Sequence, residues 1–409
     1  MSVPGGVARD PRLIADEPGL KGAWAGYRRR LAQGELGSLP VMVGLAVIWL
    51  IFYLANERFL SPVNLTNLMM QISAMGTISV GLVLVLLLGE IDLSAGAVSG
   101  LAAAVMAILS VKHGWSAVPS LLAGLATGAA VGFFHGNWIT RLRVPSFVVT
   151  LAGLLGWQGA LLYVLGETGT VNLNDDVLIA LAGTFFEPGL AWTVTVLAIV
   201  VQGAVVLVGR RRRAAAGLPL EPWRGTLTGL VAPSAVLVAA MTVFTLDRGL
   251  PLAVVIFVGL ALTLELVFRH TRFGRHLFAV GGNAEAARRA GISVPGIRVA
   301  VFTLASTLAA AGGILAGSRL MAVNQSSGSG DVLLNAIAAA VIGGTSLFGG
   351  RGSAWSALLG ALVIGSISNG MDLLALSSSV KFMVTGGVLL VAASIDALSR
   401  RGRQAAGRA

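Results

Sequence analysis

The sequence contains no cysteine and few charged residues. The absence of cysteine excludes disulfides, thiolate catalysis and thiolate metal sites, and leaves the redox compartment of the protein open. Charged residues make up only 11% of the chain, against about 25% in an average soluble domain. The four histidines are scattered without the spacing of a ligand set: His113, His135, His270 and His276. We therefore expect no bound metal, no cofactor and no water-exposed globular domain.

The chain also lacks a nucleotide-binding motif. No Gly-x-x-x-x-Gly-Lys-Ser/Thr sequence occurs in its 409 residues, and Lys21, Lys112 and Lys381 lie in other contexts. It has no clustered set of His, Asp and Cys of the kind that enzymes use. A net charge of +11 can suggest a nucleic-acid partner, but the basic residues lie mostly in short segments between apolar runs. The sequence predicts a protein that is not an enzyme and binds no nucleic acid.

Apolar residues and glycine dominate what the sequence does contain. Hydrophobic residues account for 56% of the chain, and the mean hydropathy of +0.85 is spread along its whole length. Side chains of this composition must face lipid over much of the surface. The 54 glycines recur with alanine inside the apolar runs, where small side chains let helix backbones approach closely. We predict an all-α polytopic membrane protein with a tight bundle and glycine-rich broken helices.

Apolar runs of membrane-spanning length divide the chain into twelve candidate helices. They lie at 39–55, 64–89, 92–111, 117–139, 147–165, 190–209, 226–246, 252–269, 298–322, 333–348, 354–372 and 380–397. The last four are glycine-rich and closely spaced, so one of them is expected to be a half-helix, and ten or eleven full spans remain compatible with the pattern. The expected membrane domain is therefore 39–398, flanked by polar tails at 1–38 and 399–409.

The positions of lysine and arginine predict the orientation. If the N-terminus is inside and alternate loops return to that side, the inner segments hold 24 of the 29 basic residues. Positive charge favours the cytoplasmic side of a membrane. Both termini are therefore predicted to be cytoplasmic in a multi-pass protein of the inner membrane. The longest non-apolar stretch on the other side, 166–189, is the expected docking surface for an external partner.

A basic segment between the eighth and ninth apolar runs has the composition of a short helix. Its sequence is Gly281-Gly-Asn-Ala-Glu-Ala-Ala-Arg-Arg-Ala-Gly291. Asn283 is a suitable N-cap, and Gly291 suits the left-handed position after the last helical turn. A helix here would be held between two spans and could transmit a push to both. Spacing alone is also compatible with an ordered basic loop.

Two further glycine-rich segments interrupt apolar runs. In 89–96, Gly89 can end one helix and Asp92 or Ser94 can cap the next. Broken helices occur at membrane depth only where protein or a water-filled cavity satisfies the freed backbone, although a plain turn between two spans would look alike. The segment 343–352 has a similar pattern of glycine and hydroxyl residues. This similarity indicates either an internal duplication or a coincidence.

Together these segments resemble the signatures of a known family. Glu285-Ala286-Ala287 followed by Gly291 resembles the EAA loop of ABC importer permeases, although the Ile and Leu-Pro of the type I pattern are missing. Segment 89–96 resembles the Gly-Gly-Ile-Asp-Leu-Ser-Val-Gly signature of ribose- and xylose-type sugar permeases, and 336–352 resembles their C-terminal signature. The likeness covers residues 40–398, and the helix pair at 190–246 resembles the insertion of xylose-type permeases.

One departure from the family signature is a carboxyl group. Glu90 stands where the family usually has glycine, which places it two residues from Asp92. We expect either that both carboxyls are solvated or that one of them shares a proton.

The resemblance implies a type II-like permease subunit of a bacterial ABC importer for a xylose-like sugar. Such a subunit forms a homodimer in membrane lipid, receives sugar from a periplasmic or extracellular binding protein, and is driven by separate ATPase subunits. The coupling loop would lie at 270–297. Its candidate residues are Gly281, Gly282, Asn283, Glu285, Ala286, Ala287 and Gly291.

Polar residues near the breaks and on one helix are candidates for the translocation path. Asn64, Asn67 and Gln71 are spaced to share one face of the second span, although each can instead form an interhelical hydrogen bond and Asn64 can cap the helix. The full candidate set is Asn64, Asn67, Gln71, Glu90, Asp92, Ser94, Thr345 and Ser346.

Two other kinds of transporter remain compatible with the sequence. A branched-chain amino-acid or nucleoside permease of the same superfamily would share the coupling loop and the glycine-rich breaks. An ion-coupled secondary transporter would use Glu90, Asp92 and Glu265 as its ion sites.

Overall fold

The computed structural model describes residues 39–166, 169–218 and 223–405, and the predicted N-terminal tail lies outside this range. The described residues form fifteen α-helices. They are α1 (Leu39–Ala55), α2 (Pro62–Leu87), α3 (Ala95–Val111), α4 (Ala117–Leu142), α5 (Ser146–Leu165), α6 (Asp176–Gly183), α7 (Pro188–Ala215), α8 (Trp223–Leu246), α9 (Leu252–His270), α10 (Arg272–Gly282), α11 (Ala284–Arg289), α12 (Val294–Leu320), α13 (Asp331–Ile342), α14 (Ala354–Leu373) and α15 (Ser378–Ala405). The all-α architecture predicted from the sequence is confirmed.

Four short strands complete the fold. They are β1 (Thr170–Asn172), β2 (Phe185–Phe186), β3 (Leu250–Pro251) and β4 (Ala322–Asn324). β1 pairs with β4 and β2 pairs with β3, both antiparallel. The sequence did not predict these strands, because none exceeds three residues and each exists only through its distant partner.

The helix α12 lies at the centre of the bundle and packs against α2, α3 and α4. Small residues make these contacts close. A methyl group on Gly313 would overlap the backbone of Ser99 in α3, and one on Gly132 of α4 would overlap the carbonyl of Phe302 in α12. Such backbone approach is how membrane helices pack without a strong hydrophobic drive between them. The tight bundle expected from the glycine content is therefore confirmed.

Eight of the helices are long and apolar enough to cross a membrane: α2, α4, α5, α7, α8, α9, α12 and α14. In the most apolar 18-residue stretch of each helix, only 11% of the residues of α7 and of α8 are buried, whereas 89% of those of α2 are buried. An apolar helix with this much exposed surface requires lipid around it. The structure thus supports a multi-pass membrane protein whose 190–246 helix pair lies at the periphery.

Four predicted spans are shorter apolar helices. α13 has only 12 residues and is about 18 Å long, well short of the ~30 Å hydrocarbon core. This is the half-helix expected among the last four runs. α3 begins at Ala95, three residues later than the predicted start at 92, and residues 91–94 are not helical. α15 continues to Ala405, so most of the predicted C-terminal tail is helical.

The segment between α9 and α12 contains two helices, of which the sequence predicted one. α11 follows Asn283, whose side chain accepts a hydrogen bond from the backbone N–H of Ala286 at 2.9 Å, and Gly291 has a φ of 81°. Both predicted caps are confirmed. α10 was missed because its glycines lower helix propensity. It is nevertheless amphipathic, since Leu277 and Val280 are buried.

Candidate functional site

Two glycine-containing turns and the glycine-containing end of α10 meet at the end of the bundle that carries α10 and α11. We call this contact the glycine junction and define it as residues 87–90, 280–283 and 346–352. The backbone N–H of Gly350 donates to the carbonyl of Leu87 at 2.9 Å. A methyl group on Gly281 would overlap the same Leu87 oxygen and would lie 2.9 Å from the Gly350 nitrogen. The three segments that were singled out separately in the sequence therefore form one structural unit.

The helix α11 lies beside the glycine junction with one face exposed. Ala287 is buried against the core, whereas Glu285, Ala286 and the arginines that follow are exposed. Glu285 accepts hydrogen bonds from Arg288 and Arg289. These hydrogen bonds lower the pKa of Glu285. α11 is thus held to the core by Ala287, and its opposite face is polar and exposed.

The break between α2 and α3 is an irregular segment stabilised by hydrogen bonds between its own polar groups. The Asp92 side chain is 1% exposed and accepts hydrogen bonds from the backbone N–H of Ser94 at 2.8 Å and from its hydroxyl at 2.6 Å. Ser94 occupies the N-cap position of α3, but its side chain makes no capping hydrogen bond. Ser94 therefore occupies the N-cap position that the sequence allowed for it, but its hydroxyl donates to Asp92 and does not cap the helix.

Two side chains next to this break, His135 and Trp157, were not identified from the sequence. His135 of α4 is fully buried, and its Nδ1 lies 3.5 Å from the Ser94 hydroxyl. Its Nε2 accepts a hydrogen bond from the indole N–H of Trp157 at 2.9 Å. Acceptance at Nε2 places the proton of the neutral ring on Nδ1, facing Ser94. No local pattern in the sequence could reveal this cluster, because its members come from the break, α4 and α5.

Glu90 and Asp92 point to different partners. The Oε1 of Glu90 lies 2.9 Å from Nε of Arg298 in the first turns of α12. The expectation that both carboxyls are solvated is wrong, since Asp92 is buried and Glu90 faces an arginine. The alternative, that one carboxyl shares a proton, stays a prediction. The glutamate that departs from the family signature thus ties the break to α12.

Glu265 links α9 to the start of α14. One carboxylate oxygen accepts from the Ser353 hydroxyl at 2.8 Å and from the backbone N–H of Ala354 at 2.9 Å. The other oxygen accepts from Arg269. A carboxylate at a helix N-terminus is stabilised by the helix dipole. Since Glu265 is only 6% exposed and both oxygens are bonded, it acts as a structural clamp.

The 343–352 loop supplies two candidate path residues, both buried. The hydroxyl of Ser346 accepts the backbone N–H of Phe348 at 3.2 Å and so closes its own turn. The hydroxyl of Thr345 has no hydrogen-bond partner within the described residues.

The predicted polar face of α2 is divided between different environments. Asn64 is buried and exchanges two side-chain hydrogen bonds with Asn369 of α14, at 2.8 and 3.1 Å. Asn67 is exposed and accepts from Arg248 at 3.1 Å. Gln71 is partly buried. Ser61, and not Asn64, caps α2.

Replacing Asn64 with leucine is expected to lower the free energy of unfolding by about 1–3 kcal/mol, because it leaves the buried Asn369 amide unpaired. The Asn64→Leu/Asn369→Leu double variant should recover part of this loss, since the Asn369 amide is no longer left unpaired and only the Phe59 carbonyl loses its donor. Thermal unfolding of the purified single and double variants measures the difference. A double variant as unstable as the sum of the two single variants would contradict the pairing.

Comparison with known proteins places the chain in a family. Residues 64–393 match the family described as "Branched-chain amino acid transport system / permease component". The chain belongs to this family. No solved structure matches it.

Curated relatives of this permease cover nearly its whole length. It is 34% identical to the xylose transport system permease protein of Haemophilus influenzae over 370 residues, which cover 88% of this chain and 96% of the relative. The corresponding protein of Escherichia coli K12 is also 34% identical, over 88% of this chain and 92% of its own. The ribose import permease protein of Bacillus subtilis is 30% identical, over 89% and 94% respectively.

The permease contains one more polar region, the loop that follows β4. The loop after β4 passes against α3, where methyl groups on Gly96 and Gly100 would overlap the carbonyls of Gly328 and Ser327. Gln158 of α5 donates to the carbonyl of Gln325 at 3.0 Å. This loop and the irregular break at 91–94 both lie next to α3. Non-helical backbone at membrane depth is tolerated where, as here, it is packed against protein.

Proposed function

We propose that this permease is the membrane subunit of an ATP-driven importer for a monosaccharide of the xylose or ribose class. The observation that carries the proposal is the glycine junction, which joins the coupling segment to both breaks, together with relatives that are named xylose and ribose permeases. ATP hydrolysis belongs to a separate ATPase subunit, and a sugar-binding protein delivers the substrate. Transport here needs no catalytic residue in the permease itself.

The exposed face of α11 is the proposed contact for the ATPase. The proposed coupling residues are Gly281, Gly282, Asn283, Glu285, Ala286, Ala287 and Gly291. Because Gly281 touches the carbonyl of Leu87, a displacement of α10 and α11 would be passed to the end of α2 and to the 346–352 turn. Two packings of these turns would bias the bundle between inward-open and outward-open states.

The proposed path follows the polar residues of α2 and the two breaks: Asn64, Asn67, Gln71, Glu90, Asp92, Ser94, Thr345 and Ser346. Within the described residues, one oxygen of Asp92 and the Thr345 hydroxyl are buried without a hydrogen-bond partner. Buried polar groups of this kind need water or a solute as partner. A sugar offers hydroxyl groups that can donate to both.

The proposed assembly has two copies of the permease in the inner membrane, with both termini cytoplasmic. The orientation rests on the excess of basic residues in the segments on the α10–α11 side. The strands β1 to β4 and α6 would then lie on the periplasmic side, where a sugar-binding protein docks.

Replacing Gly291 with tryptophan is expected to abolish most sugar uptake while the protein still inserts and folds. Gly291 has a φ of 81° and open space around it, so the side chain meets no atom of this chain but strains the backbone by about 1–2 kcal/mol. The strain and the bulk would displace α11 from the ATPase. Uptake and ATP hydrolysis are measured in proteoliposomes that contain all subunits.

Gly291→Asn is the matched control, because asparagine tolerates this backbone conformation. It should retain most of the uptake. Normal uptake by Gly291→Trp would count against the coupling role of this segment.

Substrate and energy source are tested together by uptake of labelled D-xylose, D-ribose and L-leucine in cells with and without the permease. Sugar uptake that disappears when the partner ATPase is deleted supports the proposal. Uptake of leucine alone would assign the permease to amino acids. Sugar uptake that survives ATPase deletion but collapses with an uncoupler would show ion coupling and refute the ATP-driven mechanism.

A further inference from the structure

A groove of about 860 Å³ lies between α4 and α12, outside the path proposed above. We call it the α4–α12 groove. Its walls are formed by residues within 133–141 of α4 and 295–304 of α12, and Phe273 of α10 also lines it. Its lining is almost entirely apolar, with Arg141 at the end next to α10.

The dimensions of the groove fit one membrane leaflet. Eight residues separate Phe133 from Arg141, which corresponds to about 12 Å along the helix. The hydrocarbon part of one leaflet is about 15 Å thick. Arg141 and the start of α12 lie at the end of the bundle that carries α10. An arginine at the membrane surface can bind a lipid phosphate group, and the apolar groove that extends from it into the membrane can hold one acyl chain.

The polar side chains of the groove are already bonded, with one exception. Asn137 donates to the carbonyl of Phe133 at 2.8 Å, and Thr140 donates to that of Gly136 at 2.7 Å. Arg141 is exposed and makes no hydrogen bond or ion pair with the described residues. The lining contains no acidic residue. The groove therefore offers apolar contact and a single guanidinium donor.

Charge distinguishes a lipid from a second copy of this chain. A two-fold contact between two such grooves would bring surfaces of the same positive charge together, without an acid on either. Further exposed arginines, Arg143 and Arg272 among them, lie close in sequence to the lining residues. This charge favours an anionic headgroup, which basic pockets between membrane helices bind on the cytoplasmic side.

We propose that the α4–α12 groove binds an anionic phospholipid, with its phosphate on Arg141 and an acyl chain between α4 and α12. Phe273 contacts the same groove and belongs to α10, which leads into the coupling segment. A bound lipid would thus support the position of α10. The leaflet depends on the proposed orientation, but the binding itself does not depend on the transported substrate.

The test is a lipid titration of the purified full-length permease in detergent, followed by native mass spectrometry. The probes are phosphatidylglycerol and phosphatidylcholine with identical acyl chains. The wild type is expected to bind phosphatidylglycerol about tenfold more tightly. Arg141→Gln should weaken phosphatidylglycerol binding about tenfold, because it removes one charge-assisted contact. Phosphatidylcholine binding should weaken less, because its phosphate is already balanced by the choline cation of the same headgroup. Arg211→Gln, which changes an exposed arginine of α7 away from the groove, is the matched control and should bind as the wild type does.

A second variant tests the acyl-chain contact. Ala300→Trp fills the groove and should weaken the binding of both lipids. If it does not fold, Ala300→Leu fills less space and should act in the same direction. Equal binding of both lipids to the wild type, or no effect of Arg141→Gln, would overturn the proposal. So would an Ala300→Trp variant that binds lipid normally but loses dimerisation, since the groove would then hold a second copy.

Discussion

Replacing Gly281 with alanine is expected to destabilise the permease by about 3 kcal/mol and to abolish transport. The added methyl group would overlap the carbonyl oxygen of Leu87 and press on the backbone of Gly350. The Leu87 and Gly350 atoms belong to two different segments and are backbone, so they cannot move aside as a flexible side chain can. The thermal unfolding temperature of the purified variant, together with uptake in proteoliposomes, measures both effects.

The adjacent glycine provides the matched control. Gly282→Ala adds the same methyl group one residue later, where no atom lies within 4 Å. It should change the free energy of unfolding by no more than about 0.5 kcal/mol. If both alanine variants unfold at the same temperature as the wild type, the close contact at the glycine junction is wrong.

Replacing Glu265 with alanine is expected to cost about 3 kcal/mol of folding free energy. The change removes a buried acceptor from the Ser353 hydroxyl and the Ala354 N–H, and hydrogen bonds to a charged group contribute about 1.5–3 kcal/mol each. The N-terminus of α14 would lose the two hydrogen bonds that tie it to α9 through this carboxylate. Thermal unfolding in detergent again measures the loss, and chemical cross-linking between α9 and α14 would report their separation.

Two controls separate the clamp from a general effect of lost charge. Glu265→Gln keeps one acceptor oxygen and should cost less than the alanine variant. Glu285→Ala removes an exposed carboxylate that pairs with Arg288 and Arg289, and exposed pairs contribute at most about 1 kcal/mol. A Glu285 variant less stable than the Glu265 variant would refute the clamp.

Some elements of the fold could be predicted because their cause is local. The caps of α11 are an example, since an asparagine and a glycine at the right spacing satisfy the helix ends without help from elsewhere. α10 was not predicted, because its glycines argue against a helix when packing is unknown. Gly281 shows the reason: the glycine that weakens the helix is required by the Leu87 carbonyl.

The candidate path residues show the same limit. Helical spacing places Asn64, Asn67 and Gln71 near one face, but their partners depend on the neighbouring helices. Asn64 pairs with Asn369, 305 residues away in sequence, and Asn67 meets Arg248. No periodicity within α2 can distinguish a residue that pairs with another helix from one that faces solute.

The sequence by itself determined that the protein spans a membrane, where most of its helices lie, and which segments break them, because apolar length and glycine content act over neighbouring residues. The tertiary structure alone decided that the turns at 87–90 and 346–352 touch the end of α10, that Glu265 clamps α14, and that Ser94 lies beside His135. These contacts join segments far apart in the chain. They arise from the packing of whole helices. The free energy of that packing depends on how closely distant backbones fit together, and not on the conformational preference of neighbouring residues.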